Sequence, residues 1–148
     1  MVDLSKLVSD VLAASGQPER VQVQMPQDLT AYTDRQLLFI ALHNLLENAC
    51  KYAAADTPVS LSLTLGGLGA SGQRVLVTVA NVPGSSSWPD PQRVFEKYYR
   101  SPSARRMAGT GLGLYLVRHL VLKLGGSVRY EPSSTHVRFT VDLPVAAG

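Results

Sequence analysis

The sequence predicts an α/β fold: a two-layer α/β sandwich, with a mixed sheet of about five strands and helices on one face. Three observations predict it. Apolar residues recur at helical spacing in three separate segments, 4–14, 35–54 and 111–124. Between and after them, short segments alternate apolar and polar residues as half-buried strands do. Helical and strand segments also interleave along the chain, so they must share one core rather than form separate layers in sequence.

Taken in order, Leu4, Leu7, Val8, Val11 and Leu12 define the first helix, which Ser15-Gly16-Gln17-Pro18 stops. Val21, Val23 and Met25 alternate with polar residues and predict a strand. Asp34 has the side chain and position of a helix N-cap. The segment that follows, to about Ala54, lacks Gly and Pro and is the strongest helical segment of the chain. Residues 59–65 and 75–79 alternate like paired strands, and the Gly-rich stretch 66–72 between them reads as a flexible loop. Residues 82–110 are rich in Gly, Ser, Pro and Arg, and predict mostly loop with a short helical turn near Val94. The third helix stops at Gly125-Gly126. Strands at 127–130 and 137–143 complete the pattern.

With 148 residues, 45% of them hydrophobic, the chain fits one domain with a real core. The formal charge of +3 suits a polyanion such as a nucleotide, but no basic tract or aromatic–basic ladder points to nucleic acid. One cysteine, Cys50, excludes an internal disulfide and fits a reducing compartment. No apolar run approaches the ~20 residues a membrane-spanning helix needs, and no signal peptide is legible. The expectation is a soluble, cytoplasmic domain without direct membrane contact, compatible with excision from a larger protein anchored in the inner membrane.

Two stretches carry chemistry. In Asn44-Leu45-Leu46-Glu47-Asn48-Ala49-Cys50-Lys51-Tyr52, helical spacing puts Asn44, Asn48 and Lys51 in one row. Phe39, Leu42, Leu46, Ala49 and Ala53 form an apolar stripe expected on the opposite side. A solvated face would also explain the polar row. Asn, however, is a mediocre helix former, and Leu37 and Ile40 lie on the same side. A carboxamide oxygen can ligate magnesium without adding charge, Lys51 can neutralise phosphate, and the Tyr52 ring can cover a base. His43 is expected to be structural, and Cys50 to pack in the core.

The second stretch is Gly109-Thr110-Gly111-Leu112-Gly113. Its backbone amides can approach phosphate closely, and the helix that begins there adds its N-terminal partial charge. No Gly-Lys-Ser/Thr follows, so it is not a Walker A loop, and no strand precedes it directly, as a Rossmann fingerprint requires.

In their order and spacing these motifs resemble the ATP-binding catalytic domain of sensor histidine kinases, within the superfamily of DNA gyrase, Hsp90 and MutL. The resemblance covers nearly the whole chain and implies the Bergerat-type ATP-binding fold. Residues 44–52 resemble the N box, and Val94-Phe95-Glu96-Lys97-Tyr98-Tyr99-Arg100 the F box. Residues 109–114 resemble the second glycine box, and 139–144 the closing strand. It implies ATP and Mg2+ as cofactors. Asn48 would ligate the metal with Asn44 assisting, and Lys51 would contact phosphate. Tyr52 would lie against adenine or ribose. Gly109, Thr110, Gly111, Leu112 and Gly113 would cradle the phosphates. Phe95 would anchor a lid over about 98–108, with Arg100, Arg105 and Arg106 as candidates for the γ-phosphate.

One departure concerns the base. The family's first glycine box begins with an Asp that accepts a hydrogen bond from the adenine amino group. Here Asn81 stands there, with Pro83 and Ser85 interrupting the glycines. A neutral acceptor implies a weaker hold on adenine and reduced discrimination between ATP and GTP.

The resemblance also implies a partner. In this family the phosphoryl group passes to a histidine on a dimerisation/phosphoacceptor domain of the same kinase, and from there to a response regulator. None of His43, His119 or His136 has the surroundings of such an acceptor. Related ATPases carry a general-base Glu where this chain has Asn44, which favours a kinase. Two alternatives stay open: a serine kinase of the anti-sigma-factor type, and a degenerate regulatory module that binds nucleotide weakly or not at all.

Overall fold

The computed structural model describes residues 2–69, 72–84, 88–89, 91–96 and 113–144. Strand β1 (Val2–Asp3) leads into helix α1 (Leu4–Ala14). Then come β2 (Val21–Gln24), β3 (Thr30–Ala31) and helix α2 (Arg35–Tyr52). The hairpin β4 (Val59–Gly69) and β5 (Gly72–Asn81) follows, and then helix α3 (Gly113–Lys123), β6 (Ser127–Tyr130) and β7 (Val137–Pro144).

Five strands form one mixed sheet in the order β2-β4-β5-β7-β6. The β2–β4 pair is parallel and the other three are antiparallel. This is the predicted α/β architecture. The alternation read from the sequence sets its two faces. Leu61, Val79 and Phe139 stand in register, as do Leu63, Val77 and Val141, and all six are buried in the core. The intervening positions are more polar. On that outer face Arg74 pairs with Asp142, and Thr78 faces Thr140 at 3.4 Å.

Local chemistry explains each helix. The Asp3 carboxylate accepts from the Ser5 and Lys6 amides and starts α1, whose Leu4, Leu7, Val8 and Val11 are buried. Asp34 caps α2 by accepting from the Leu37 amide at 3.0 Å. At the end of α3, the Gly126 amide donates to the Val121 carbonyl and the Gly125 amide to that of Leu122, with Gly125 at φ +81°. Both helix-end carbonyls are thereby satisfied. A Cβ on Gly126 would lie 2.2 Å from the Asp142 carbonyl oxygen, so only glycine lets the chain pass β7 here.

Two expectations need correction, and one element escapes the sequence reading. The hairpin strands run on to Gly69 and Gly72, with a register shift between Gly66 and Gly69, so most of the expected 66–72 loop is strand. Backbone pairing overrides glycine's weak strand preference there. The short β1–β3 pair, which ties the entry of α1 to the segment before α2, carries too little periodicity to be legible. The buried face of α2 is Leu38, Ala41, Leu42, Leu45, Leu46, Ala49 and Cys50, while Phe39 and Ala53 are only half-buried. The Asn44/Asn48/Lys51 row therefore borders the core instead of standing opposite it, and all three residues are half-buried.

Candidate functional site

Helix α2 is the axis on which the candidate residues meet. The Asn44 Nδ2 donates to the Ile40 carbonyl at 2.8 Å. That bond fixes the carboxamide and turns Oδ1 outward as an acceptor. Oδ1 faces Gly113, the first residue of α3: a Cβ built there would lie 3.6 Å from it. The end of the second glycine stretch and the first Asn of the polar row, 69 residues apart in sequence (113 − 44), are therefore neighbours in space. Asn48 lies one turn further along, and the Lys51 Nζ sits 5.4 Å from the Tyr52 ring centroid.

A second convergence occurs at the C-terminal end of α2. The Ala54 amide donates to the Val82 carbonyl at 2.7 Å, the Gly84 amide donates to the Tyr52 carbonyl at 3.1 Å, and Ala53 bridges Pro83. These bonds hold the segment after β5 against the helix end. Asn81, the last residue of β5, is in register with Val59 of β4 and Val137 of β7. It is 3% exposed, and among the described residues its Nδ2 has no hydrogen-bond partner.

The turn at 91–96 brings in a third element. Val94 is buried, and the Phe95 ring packs edge-to-face on Phe139 of β7, centroids 5.8 Å apart. Arg100, Arg105, Arg106, Gly109, Thr110, Gly111 and Leu112, with the expected lid, lie outside the described residues.

His43 has a structural setting. Its Nε2 lies 3.3 Å from the Ala14 carbonyl oxygen and 3.4 Å from Glu47 Oε1, and its ring stacks on Phe39. Two acceptors at Nε2 place the proton there. Cys50 is buried, and burial pushes its thiol above its ordinary pKa. The Arg20 guanidinium opposes that shift and the Glu47 carboxylate adds to it.

Arg20 is the residue that sequence reasoning missed. Its guanidinium donates to three backbone carbonyls: Cys50 at 3.1 Å, Ala54 at 2.7 Å and Thr57 at 3.0 Å. It closes the C-terminal end of α2 and the turn beyond it, where a cation is favoured by the helix dipole. Its partners lie 30 to 37 residues away in sequence, so no local pattern signals it.

The donors fit a hydrated cation with polyphosphate. Asn44 Oδ1 is a neutral oxygen acceptor beside the start of α3, and the half-buried Lys51 carries positive charge. The arrangement is one an α/β domain that binds nucleotide would need along a single helix. Residues 33–147 match the family described as "Histidine kinase-, DNA gyrase B-, and HSP90-like ATPase". The chain belongs to that family.

Its relatives are sensor kinases. It is 31% identical over 151 residues to the sensor-like histidine kinase SenX3 of Mycobacterium bovis, covering 97% of this chain and 36% of that protein. It is 34% identical over 157 residues to the histidine-protein kinase/phosphatase MprB of Mycobacterium ulcerans, covering 87% and 30%. A solved structure of a mycobacterial sensor histidine kinase MprB superimposes with a TM-score of 0.76 at 25% identity, covering 97% of each chain. The chain thus matches the ATP-binding part of sensor histidine kinases, and spans about a third of the length of these curated relatives. Among the described residues, no helix is long and apolar enough to cross a membrane.

Proposed function

We propose that this chain is the single catalytic domain of a larger sensor kinase, holding Mg·ATP for phosphoryl transfer to a histidine on a separate dimerisation/phosphoacceptor domain. The observation that carries this reading is the meeting of Asn44 Oδ1 with the start of α3, which would bring the proposed metal-ligand row next to the end of the glycine stretch. Bound Mg·ATP supplies the phosphoryl group and a cation that neutralises charge between its terminal phosphates.

The chain's own work is positioning and charge compensation. Asn48, with Asn44, would hold the metal, and Lys51 would face phosphate oxygens. Gly109, Thr110, Gly111, Leu112 and Gly113 would offer backbone amides, and Arg100, Arg105 or Arg106 would meet the terminal phosphate. Tyr52 and Asn81 would border the base. Along α2, Asn44 and Tyr52 are separated by about 12 Å at 1.5 Å per residue, which leaves room for phosphates at one end and a base at the other.

A carboxamide at Asn44 cannot take a proton from water, so these residues favour transfer to a partner over hydrolysis. The engagement of His43 with Ala14 and Glu47 supports an acceptor located elsewhere. The domain would act in the cytoplasm, feeding a response regulator through its partner.

A titration with Mg·ATP tests this. Asn48→Ala should remove magnesium-dependent binding while leaving the thermal unfolding midpoint close to the parent's, since Asn48 only borders the core. Equal Mg·ATP affinity for parent and variant overturns the metal assignment.

A further inference from the structure

Helix α2 ends without a local stop. No glycine follows it: Ala53, Ala54 and Ala55 do, and Ala53 turns straight into extended backbone at φ −70° and ψ 146°. Helix α3, by contrast, closes on Gly125 and Gly126. A helix end leaves its last carbonyls without partners inside the helix. At α2 those partners come from far along the chain. The Gly84 amide donates to the Tyr52 carbonyl, and Arg20 donates to the Cys50 carbonyl through Nη1 and to the Ala54 carbonyl through Nη2. Its Nε reaches the Thr57 carbonyl, and Nη1 also donates to Gln17 Oε1 at 3.3 Å, which steadies the fork.

Ala54 is the joint of this arrangement. Its carbonyl accepts from Arg20 and its amide donates to the Val82 carbonyl, both at 2.7 Å. Gly84 packs on the same residue, so closely that a Cβ there would lie 3.4 Å from the Ala54 Cα. Arg20, the end of α2 and the 82–84 backbone thus form one continuous stack.

We infer that Arg20 is a positioning residue for the nucleotide: its guanidinium sets the end of α2 and, through Ala54, the 82–84 backbone that would border the base. The inference rests on the nucleotide-binding role proposed above and adds to it a residue that acts through the backbone. A wall held in place before binding spares the nucleotide the entropy loss of ordering it. The three carbonyls lie in different directions, which the planar fork of an arginine can serve together and a lysine ammonium cannot. The phosphate side is built separately. Asn44 stands six residues before Cys50, about 9 Å back along α2, and its carboxamide is fixed by the Ile40 carbonyl. Removing the clamp therefore weakens the hold on nucleotide without abolishing it.

Calorimetric titration of the whole chain with Mg·ATP, below every thermal transition concerned, tests this. Arg20→Ala should weaken binding by about fivefold or more, and Arg20→Lys, which keeps the charge but not the fork, by at least about twofold. If lost stability alone were responsible, damage anywhere in the core would do the same. Leu7→Ala is the control: Leu7 is wholly buried and lines a small apolar pocket with Leu38, Val75 and Leu143 at the N-terminal end of α2. It should lower the thermal midpoint yet bind Mg·ATP within about twofold of the parent. Should Arg20→Ala not fold, Arg20→Lys decides alone. A loss below about fivefold in Arg20→Ala, an Arg20→Lys affinity within about twofold of the parent, or an equal loss in Leu7→Ala overturns this inference and leaves the proposed function standing. Failure of the parent to bind Mg·ATP overturns the proposed function itself.

Discussion

Replacing Arg20 with alanine should destabilise the domain and loosen one end of the candidate site. The guanidinium donates to the Cys50, Ala54 and Thr57 carbonyls at 3.1, 2.7 and 3.0 Å. Hydrogen bonds from a charged donor contribute about 1.5–3 kcal/mol each. Arg20 is half-buried, and the released carbonyls regain some water, so the three bonds together are placed below the low end of that sum, at about 3 kcal/mol. In a domain of this size that lowers the melting temperature by about 6–12 °C. Arg20→Lys can reach fewer of the three acceptors at once and should recover only part of the loss. Thermal unfolding followed by circular dichroism reads the shift. The same variant should weaken nucleotide binding, because the Ala54 amide it helps to fix holds Val82, next to Asn81. A melting temperature within about 2 °C of the parent would refute the reasoning, since it would mean that the clamp carries no net stability.

Two further predictions concern packing and pH. Gly126→Ala forces a methyl group to 2.2 Å from the Asp142 carbonyl oxygen and 2.9 Å from a Leu143 methyl carbon. It should cost about 3 kcal/mol, read as a lower urea midpoint at unchanged slope. For Cys50, burial raises the folded-state pKa, so the folded protein holds its thiol proton at pH values where the unfolded chain releases it. That contribution is fully present below the ordinary thiol pKa, about 8.5, and is lost as pH rises towards and through the raised value. Urea midpoints taken from pH 7 to 10 should fall at the alkaline end. They should fall less in Cys50→Ala, and an equal fall in both proteins would contradict the assignment.

Periodicity made most of the frame legible before any coordinates. Leu4, Leu7, Val8 and Val11 mark α1, and Asp34 marks the start of α2, because caps and amphipathic stripes are local signals. The alternation at 59–65 and 75–79 fixes which side of each strand faces the helices. Three features escaped for physical reasons. The Gly-rich extension of β4 and β5 is held by its pairing, not by propensity. The two-residue strands β1 and β3 are too short to show a period. The Arg20 clamp joins residues far apart in sequence.

At the site, the row of Asn44, Asn48 and Lys51 follows from helical spacing alone. The contact between Asn44 and Gly113 does not, since α3 must fold back on α2 to create it. The apolar row around Asn81 depends likewise on strand register, which no short window of sequence encodes.

The central claim is that this domain passes the terminal phosphoryl group of ATP to a histidine outside itself. Incubation with γ-labelled ATP, magnesium and a histidine-kinase dimerisation/phosphoacceptor domain, the proposed partner, measures that directly. Acid-labile label on the histidine of the added domain, with none on this chain, is the result predicted here. Label retained on this chain, or release of inorganic phosphate with no label on either domain, would contradict it.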